Sequence, residues 1–434
     1  MKFIDLFAGL GGFHIALDEL GHECVFACEK KQDLIDLYER NFGMRPHNDI
    51  TTIAPSDIPA HDILCAGFPC QPFSKAGMQH GLKDDKNGYL FDNIISILEF
   101  HKPQYFILEN VRNLEKHENG KTLLYMITRL KDELGYDIDY EIFSPHDFGI
   151  PQHRERFFMV GSLNGLDFTW PSKSQSKCSV HDAIIDNVHD AMPLEEVKIN
   201  VLELWQKFLE VIPKNVPIPG PLWSMEFNAT YDFIDRTPHV TSSRALGGMK
   251  GSFGVELKGL SRAEKFQNLP SYSRYPVSKF PRWKQKFINK NRKFNEVYGH
   301  LFDDVLAEIR ELGVSSWQKL EWNLKGEDRN IFNYIIQFRG SGIRLKRKDY
   351  FPSLVTVSTQ IPILGWERRY ISKHEGAKLQ SLNGIELPAH NSSAFSALGN
   401  AVNARIVQLI AIQLFQHNDH MDYLKTNHLQ TLFA

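Results

Sequence analysis

A cysteine is the first residue of this chain whose surroundings suggest covalent chemistry. Cys70 follows the apolar run 63–66 and stands between Pro69 and Gln71. Proline fixes its own φ and lacks a backbone donor, so the turn that presents this thiol is stiff. In an open α/β sheet, ligands bind beyond the carboxyl ends of the strands, which is where Cys70 would lie. Cys70 is therefore a candidate nucleophile, although the stretch also fits a buried structural cysteine.

One acidic and two guanidinium side chains could act with this thiol. Glu109 directly follows the apolar run 105–108, so on an adjacent strand its carboxyl group would share the cleft edge with Cys70. A protonated carboxyl group donates to a ring nitrogen and accepts from an amino group. Arg154 and Arg156 would share one face of an extended chain, where guanidinium groups suit carbonyl and phosphate oxygens. A surface glutamate and a solvated charge run are the alternative interpretations.

A glycine-rich turn follows the first apolar run of the chain. Its spacing is G-x-G-G, which lets a nucleotide-like group approach the backbone but is not the G-x-G-x-x-G pattern of dinucleotide sites. Glu29 follows the second apolar run, where an acidic residue binds ribose hydroxyls, and Asp49 with Ile50 would end a third strand in the same row. Such a pocket suits S-adenosylmethionine better than NAD, and a plain strand–helix turn is the alternative. The glycines are Gly9, Gly11 and Gly12.

Length and composition indicate a soluble protein of two or three domains. The chain has 434 residues and a net charge of −2. We find no apolar run near the roughly 18 residues of a membrane span and no signal peptide, so we expect a cytoplasmic, nucleoid-associated protein. An odd, low number of cysteines argues against a disulfide framework, and no metal site is expected. The five cysteines are Cys24, Cys28, Cys65, Cys70 and Cys178.

Charge is unevenly distributed along the chain. Residues 1–171 carry a net charge of −10, residues 172–350 carry +7 and residues 351–434 carry +1. A basic middle beside an acidic first part suggests that the middle meets a polyanion. Two basic clusters in it, the first interleaved with aromatic residues, suggest contacts with a nucleic-acid backbone, and a solvated face is the alternative. They are Arg274, Lys279, Arg282, Lys284, Lys286, Lys290, Arg292 and Lys293, then Arg344, Lys346, Arg347 and Lys348.

Apolar runs and helical patterns alternate through the first part of the chain. This βαβα order predicts an α/β fold with a doubly wound, mostly parallel sheet. The last two strands have no helix between them, so that end is expected to be antiparallel. Three parts follow: a catalytic and cofactor-binding domain (1–171), an irregular inserted domain (172–360) and a return to the catalytic domain (361–434). Predicted strands are 3–7, 24–28, 63–66, 105–108, 138–143 and 157–161, and predicted helices are 12–20, 32–42, 90–100, 122–134, 369–382 and 393–415.

Taken together and in this order, five motifs resemble those of the DNA cytosine-5 methyltransferase family, especially the bacterial modification enzymes. The resemblance covers residues 1 to about 171 and about 351 to 416. It implies a Rossmann-like methyltransferase domain that uses S-adenosylmethionine, yields S-adenosylhomocysteine and requires no metal, with the inserted domain as a target-recognition region. The motifs are residues 3–12, 67–71, 109–111, 152–156 and 399–402.

The resemblance also implies a role for each motif residue toward the substrate. A cytosine flipped out of double-stranded DNA would be attacked at carbon 6 by Cys70. Glu109 would hold N3 and the exocyclic amine, to which the carbonyl of Phe68 would also bind. Arg156 would contact the cytosine carbonyl and Arg154 the nearby backbone.

Further implied roles concern the cofactor and the loop after the nucleophile. Phe7 would stack on adenine, Glu29 would bind the ribose hydroxyls, and Asp49, beside Ile50, would bind the adenine amine. Asn400 and Val402 would close the methionine end. Residues 72–89 would be the loop that closes over DNA.

Partners and rival functions follow from the same comparison of motifs. We expect a monomer acting on double-stranded DNA, with a cognate restriction endonuclease as its functional partner. An RNA methyltransferase is one rival, but the tRNA-modifying relatives carry Cys-Phe-Thr where this chain offers Cys178 followed by Ser179 and Val180. A catalytically silent DNA-binding regulator is another, opposed by the intact set of Cys70 and its partners. The recognition sequence is not readable from residues 172–350, because contacts to bases depend on the three-dimensional structure.

Overall fold

The computed structural model describes residues 1–69, 90–174, 178–186 and 188–415. Cys70 and the predicted closing loop 72–89 lie outside the described residues. The strands are β1 Lys2–Leu6, β2 Glu23–Cys28, β3 Ile63–Gly67, β4 Tyr105–Val111, β5 Asp137–Phe143, β6 Gln152–His153, β7 Arg156–Ser162, β8 Leu222–Trp223, β9 Lys319–Trp322, β10 Ile335–Arg339, β11 Gly342–Lys346, β12 Phe351–Pro352, β13 Ile363–Leu364 and β14 Arg369–Tyr370. The α-helices are α1 Gly12–Asp18, α2 Gln32–Phe42, α3 Leu90–His101, α4 Lys121–Ile127, α5 Glu196–Val211, α6 Ser243–Leu246, α7 Arg262–Gln267, α8 Arg282–Tyr298, α9 Asp303–Arg310, α10 Lys373–Lys378, α11 Asn391–Asn400 and α12 Ala404–Leu414.

The chain divides into two compact units. The first comprises Met1–Asp190, Asp349–Ser358 and Ser372–Ala434, and the second comprises Ala191–Lys348 and Thr359–Ile371. Residues 172–190 and 349–358 thus lie with the first unit, although the sequence predicts them in the inserted domain. Residues 361–371 lie with the second unit instead of the returning segment.

A six-stranded sheet forms the centre of the first unit, in the order β2-β1-β3-β4-β7-β5. Strands β1 to β4 run parallel, and β7 is antiparallel to both β4 and β5. The parallel strands are continuous apolar runs because helices cover both faces of such a sheet. The predicted mostly parallel, doubly wound fold with an antiparallel end is confirmed, with strand limits within three residues of those predicted.

Three local predictions were wrong. Asp49 and Ile50 do not end a strand, since Asp49 caps a short 3₁₀ helix, Ile50–Thr52, and accepts a hydrogen bond from the Thr51 N–H. Residues 369–382 are not one helix, because β14 is followed by a separate α10. The predicted helix 393–415 is interrupted between α11 and α12, where Asn403 caps α12 through the Ile406 N–H.

The end of the described chain returns to the first unit. The Gln408 side chain on α12 donates to Glu19 at the end of α1, at 2.8 Å. Arg40 on α2 donates to both carboxylate oxygens of Glu386, each at 3.0 Å. Phe415 is fully buried. The first unit is therefore completed by both ends of the described chain.

The second unit is more regular than its sequence predicts. A six-stranded sheet has the order β14-β13-β10-β11-β9-β8, and its longest pairing is the antiparallel hairpin of β10 and β11. Helices α5 to α9 belong to the same unit. The expectation of an irregular domain was wrong because this sheet joins short strands that are far apart in the sequence, which no local alternation reveals.

One segment has the length and composition of a membrane span. Asn391–Leu414 reaches a mean hydropathy of 1.3 over 18 residues, but 72% of that window is buried inside the protein. It also consists of two helices separated near Ala401. Its apolar side chains are therefore those of core helices.

Candidate active site

A buried ion pair lies at the carboxyl end of β4. Arg156 Nε lies 3.0 Å from Glu109 Oε1, and the Glu109 side chain is only 8% exposed. Antiparallel pairing of β4 with β7 brings the two residues close, since Glu109 is opposite Phe158 and Val111 is opposite Arg156. The structure thus brings together two of the predicted catalytic side chains.

Burial and the ion pair shift the pKa of the Glu109 carboxyl group in opposite directions. Loss of hydration raises the pKa of the Glu109 carboxyl group, and the charges of Arg156 and Arg154 oppose that rise without cancelling it. Burial likewise lowers the pKa of the Arg156 guanidinium. A carboxyl group of raised pKa is poised to be a hydrogen-bond donor, as recognition of an unprotonated ring nitrogen requires.

Gly67 and Phe68 border this carboxyl group on the neighbouring strand. Gly67 is opposite Glu109 in the parallel pairing of β3 with β4. A Cβ atom at Gly67 would stand 3.4 Å from Glu109 Oε2, so the glycine keeps space beside the acid. The Phe68 carbonyl already accepts a hydrogen bond of 2.9 Å from the Asn110 side chain, which leaves one lone pair for a ligand. Sequence reasoning missed Asn110, although it directly follows Glu109.

Arg154 has surroundings unlike those of Arg156. It is 2% exposed and donates to the carbonyls of Leu354, Gly399 and Ala401, at 3.1, 2.8 and 3.0 Å. Its placement among the catalytic residues therefore needs correction, because its guanidinium is occupied by protein backbone. Arg154 holds three segments of the first unit together.

The glycine turn and Glu29 form one hydrogen-bonded structure. Glu29 Oε2 accepts from the Gly9 N–H at 2.9 Å, and Oε1 accepts from the Lys31 N–H at 2.9 Å. Gly9 and Gly11 have φ values of +55° and +76°, a region that disfavours side chains. Phe7 also has a positive φ, of 60°, which is uncommon for an aromatic residue and is typical of functional loops.

Asp49 lies two residues after His47, in the segment that follows α2. The segment before it pairs with the end of β2, because Cys28 bridges His47 and the Glu29 N–H donates to the His47 carbonyl. Asp49 Oδ2 lies 3.0 Å from Lys30 Nζ, and the hydrogen bond from Thr51 is the main cause of its lowered pKa. Ile50 is buried at 5% exposure. Asp49 therefore stands on a helix cap and not at the end of a strand, and its pairing with Glu29 in a cofactor site stays a prediction.

Close packing explains the third glycine of the turn. A Cβ atom on Gly12 would stand 2.6 Å from both Val402 Cγ1 and the Val402 carbonyl oxygen. Val402 is buried, whereas Asn400 is exposed at the end of α11. The segment between α11 and α12 thus closes on the start of α1, at the edge of the glycine turn.

The donor set suits a nucleoside-containing ligand. Two carboxylates, an aromatic residue and a glycine turn with close backbone approach are the groups that bind a ribose, a purine and a small polar chain. No group of three or more His, Cys, Asp or Glu residues in the described ranges is placed to hold a metal ion.

The cysteines of the described chain are poor nucleophiles. Burial raises the pKa of Cys24 and of Cys28 to about 12, and it also raises the pKa of Cys65 and Cys178. Thiols of raised pKa form little thiolate. Cys70 lies outside the described residues, three positions after Gly67.

The fold and these residues define an α/β enzyme of the doubly wound class. A sequence profile of the family "C-5 cytosine-specific DNA methylase" matches residues 1–416. The chain therefore belongs to that family, as the motifs predict, and it is a C-5 cytosine DNA methyltransferase.

Several characterised relatives illustrate the match. The Type II methyltransferase M.AluI of Cellulosimicrobium cellulans is 30% identical over 94% of this chain and 91% of its own length. M.HaeII of Haemophilus aegyptius is 43% identical over 222 residues, which are 51% of this chain and 68% of that protein. M.HhaI of Haemophilus parahaemolyticus is 43% identical over 188 residues, and the chain spans 57% of its length.

Solved structures agree on the fold. A putative DNA modification methyltransferase encoded within a prophage of E. coli aligns over 96% of this chain and 99% of that chain, with a TM-score of 0.52 and 18% identity. At that identity, the likeness supports the architecture alone.

Proposed function

We propose that this protein transfers a methyl group from S-adenosylmethionine to carbon 5 of a cytosine within a specific short sequence of double-stranded DNA. The observation that carries the proposal is the buried pair of Glu109 and Arg156 beside Gly67, three residues before Cys70. A protonated carboxyl group and a guanidinium match the N3 and carbonyl oxygen of cytosine. Family membership supports the reaction.

The reaction starts with a cytosine flipped out of the helix, since its ring carbons are out of reach inside the stack. The Cys70 thiolate bonds to carbon 6, and the electron pair of the 5,6 double bond moves toward carbon 5. Glu109 donates its proton toward N3, and Arg156 donates to the carbonyl oxygen, which stabilises the developing negative charge. When bound, S-adenosylmethionine supplies an electrophilic methyl group to carbon 5 and leaves as S-adenosylhomocysteine. Loss of the carbon-5 proton to water then expels Cys70 and restores the double bond.

The glycine turn and its neighbours would hold the cofactor. Phe7 would stack on adenine, Glu29 would bind the ribose hydroxyls, and Asp49 would bind the adenine amine. Asn400 and Val402 would close the methionine end. At the turn, a Cβ atom on Gly9 would meet only the Phe7 carbonyl oxygen, at 3.8 Å, so there is space for the ligand at that glycine.

The biological role would be protection of host DNA from a cognate restriction endonuclease. The named relatives are Type II methyltransferases, which supports this role. We propose a monomer that acts in the cytoplasm, associated with the nucleoid.

A covalent trap tests the mechanism. Bisulfite sequencing of DNA from cells expressing the protein would first locate the modified cytosine. A duplex carrying 5-fluorocytosine at that position should then form an adduct that survives denaturing electrophoresis, because fluorine cannot leave as the proton does. The Cys70→Ser variant should form no adduct while still binding DNA, and Cys178→Ser, the matched control, should form it normally. Methylation by Cys70→Ser, or no adduct with the unaltered protein, would contradict the mechanism.

A further inference from the structure

The basic cluster in residues 274–293 of the second unit contains two kinds of basic side chain. Some are occupied within the protein: Arg274 donates to the carbonyls of Gln267 and Leu269, and Lys284 donates to that of Tyr272. The others are exposed, and their side chains form no ion pair or hydrogen bond with any residue in the described ranges. They are Lys279, Arg282, Lys286, Lys290 and Lys293.

Arg292 anchors the helix that carries most of these residues. Its Nε and one terminal nitrogen each lie 3.0 Å from Oε2 of Glu226, which is fully buried. Tyr272 donates to the other oxygen of Glu226 at 2.6 Å, and the Arg292 guanidinium lies 4.3 Å from the Tyr231 ring centre. Asn291 also accepts from the Trp223 N–H at 2.8 Å. Helix α8 is therefore fixed firmly to the core of its own unit.

Four of the exposed residues form a stripe along α8, which we call the basic stripe: Arg282, Lys286, Lys290 and Lys293. Steps of four, four and three residues place them on one helix face. That face is opposite the buried face of α8, which includes Ile288 and Phe294. At 1.5 Å per residue, the stripe is about 16 Å long.

The basic stripe works against the stability of its own helix. Like charges four residues apart repel each other. The first turn of α8 has no acidic residue, although the amino end of a helix favours negative charge, and Arg282 stands there instead. Trp283 lies beside the stripe with 55% of its surface exposed. A negatively charged partner would reduce both the repulsion between the basic side chains and the unfavourable positive charge at the amino end of the helix.

The other basic cluster of this unit lacks these properties. Arg344 Nε lies 2.7 Å from Glu321, and Arg347 Nε lies 2.7 Å from Glu327. Glu321 and Glu327 thus offset part of the charge of a cluster that its local sequence presents as basic. The basic stripe keeps its charge.

We propose that the basic stripe binds the sugar–phosphate backbone of duplex DNA without regard to base sequence. This inference rests on the proposed function, which makes double-stranded DNA the substrate. Phosphates repeat every 3.4 Å along the axis of each strand, so a stripe of about 16 Å faces about five of them. Flexible lysines on a fixed helix suit contacts that position DNA and carry no sequence information.

A fourfold variant tests this proposal: Arg282→Ala, Lys286→Ala, Lys290→Ala and Lys293→Ala together. Binding is measured from 50 to 200 mM salt, on a duplex with the methylated sequence and on a scrambled duplex. Each phosphate contact contributes about 0.9 to the slope of log affinity against log salt, so the slope should become shallower by about 3 to 4. Affinity should fall by similar factors on both duplexes, and the methylated sequence should stay the same.

The matched control removes the same charge elsewhere on the second unit, at exposed positions without ion pairs in the described ranges. Its salt slope should equal that of the unaltered protein, and circular dichroism and urea unfolding should show both variants folded. An unchanged slope in the stripe variant would overturn the proposal and would point to a protein or RNA partner for α8. A loss of affinity confined to the duplex with the methylated sequence would also overturn the proposal. Failure of the proposed function itself would be visible separately, as absence of DNA methylation by the unaltered protein. The control substitutions are Lys214→Ala, Lys258→Ala, Arg310→Ala and Lys325→Ala.

Discussion

At the residue scale, the candidate site contains a buried carboxyl group, Glu109, whose pKa is raised although a guanidinium is 3.0 Å away. Burial disfavours the charged form of Glu109, and the attraction of Arg156 only partly offsets this. A raised pKa favours the protonated form of the carboxyl group, which is the form that the proposed contact with a cytosine N3 requires. Because the protonated form is the donor, its population falls as pH rises through the raised pKa.

The Glu109→Gln variant tests this use of the proton. Glutamine has the same shape and can donate a hydrogen bond to N3, but it cannot transfer a proton as negative charge develops. Since positioned acid catalysis is worth about 10²–10⁴-fold, we expect kcat to fall by about 10²–10³-fold while affinity for duplex DNA changes little. Single-turnover rates as a function of pH should also lose the decline at high pH. A variant with normal kcat, or one that no longer binds DNA, would contradict this role.

Sequence patterns predict where a residue lies when it follows a recognisable strand. They do not predict its contacts when those depend on how distant segments bury it. Glu109 was predicted because it ends an apolar run that becomes a buried strand. Arg154 and Arg156 are equivalent in the sequence, and only the carbonyls around Arg154 show that it is structural. Asp49 was assigned to a strand end because a cap and a strand end can carry the same residue types.

At the scale of elements, Arg154 connects parts of the chain that are far apart in sequence. Its guanidinium joins the segment before β7 to Ser353 and Leu354 and to the end of α11. Strand limits were predictable from local apolar runs, but this connection and the second unit's sheet were not. Both depend on pairings between distant segments. The ion pair of Arg344 is a similar case, because its partner Glu321 is 23 residues away.

The Arg154→Lys variant measures what this connection contributes. Lysine keeps the charge but lacks the planar fork that reaches several carbonyls at once. Buried acceptors left unsatisfied cost about 1–3 kcal/mol, so we expect the free energy of unfolding in urea to fall by about that amount. Arg156→Lys is the matched control, since it should lower kcat with a smaller effect on stability. Equal stability of Arg154→Lys and the unaltered protein would show that the carbonyls find other donors.

At the scale of the whole molecule, each compact unit is made of separate stretches of chain. The first unit needs Ser372–Ala434, whereas the second is complete at Ile371. Helix α12 supplies Ile406, Val407 and Ile410, each at most 1% exposed. Charge follows a similar division, since the beginning of the chain is acidic and its middle is basic, so the net charge of −2 conceals an uneven distribution.

In a chain ending at Ile371, the first unit should therefore be unfolded and the second unit should stay folded. Without α10 to α12, the apolar faces that they cover become exposed, and we expect amides of β1, β3 and β4 to exchange hydrogen rapidly. Amides of β10 and β11 should stay protected, because the core of the second unit is intact. Hydrogen exchange followed by mass spectrometry measures both regions in one sample. The control is Gln408→Ala, which removes one hydrogen bond of α12 and should cost only about 0.5–1.5 kcal/mol. Full protection of β3 and β4 in the shortened chain would show that the first unit folds without its returning segment.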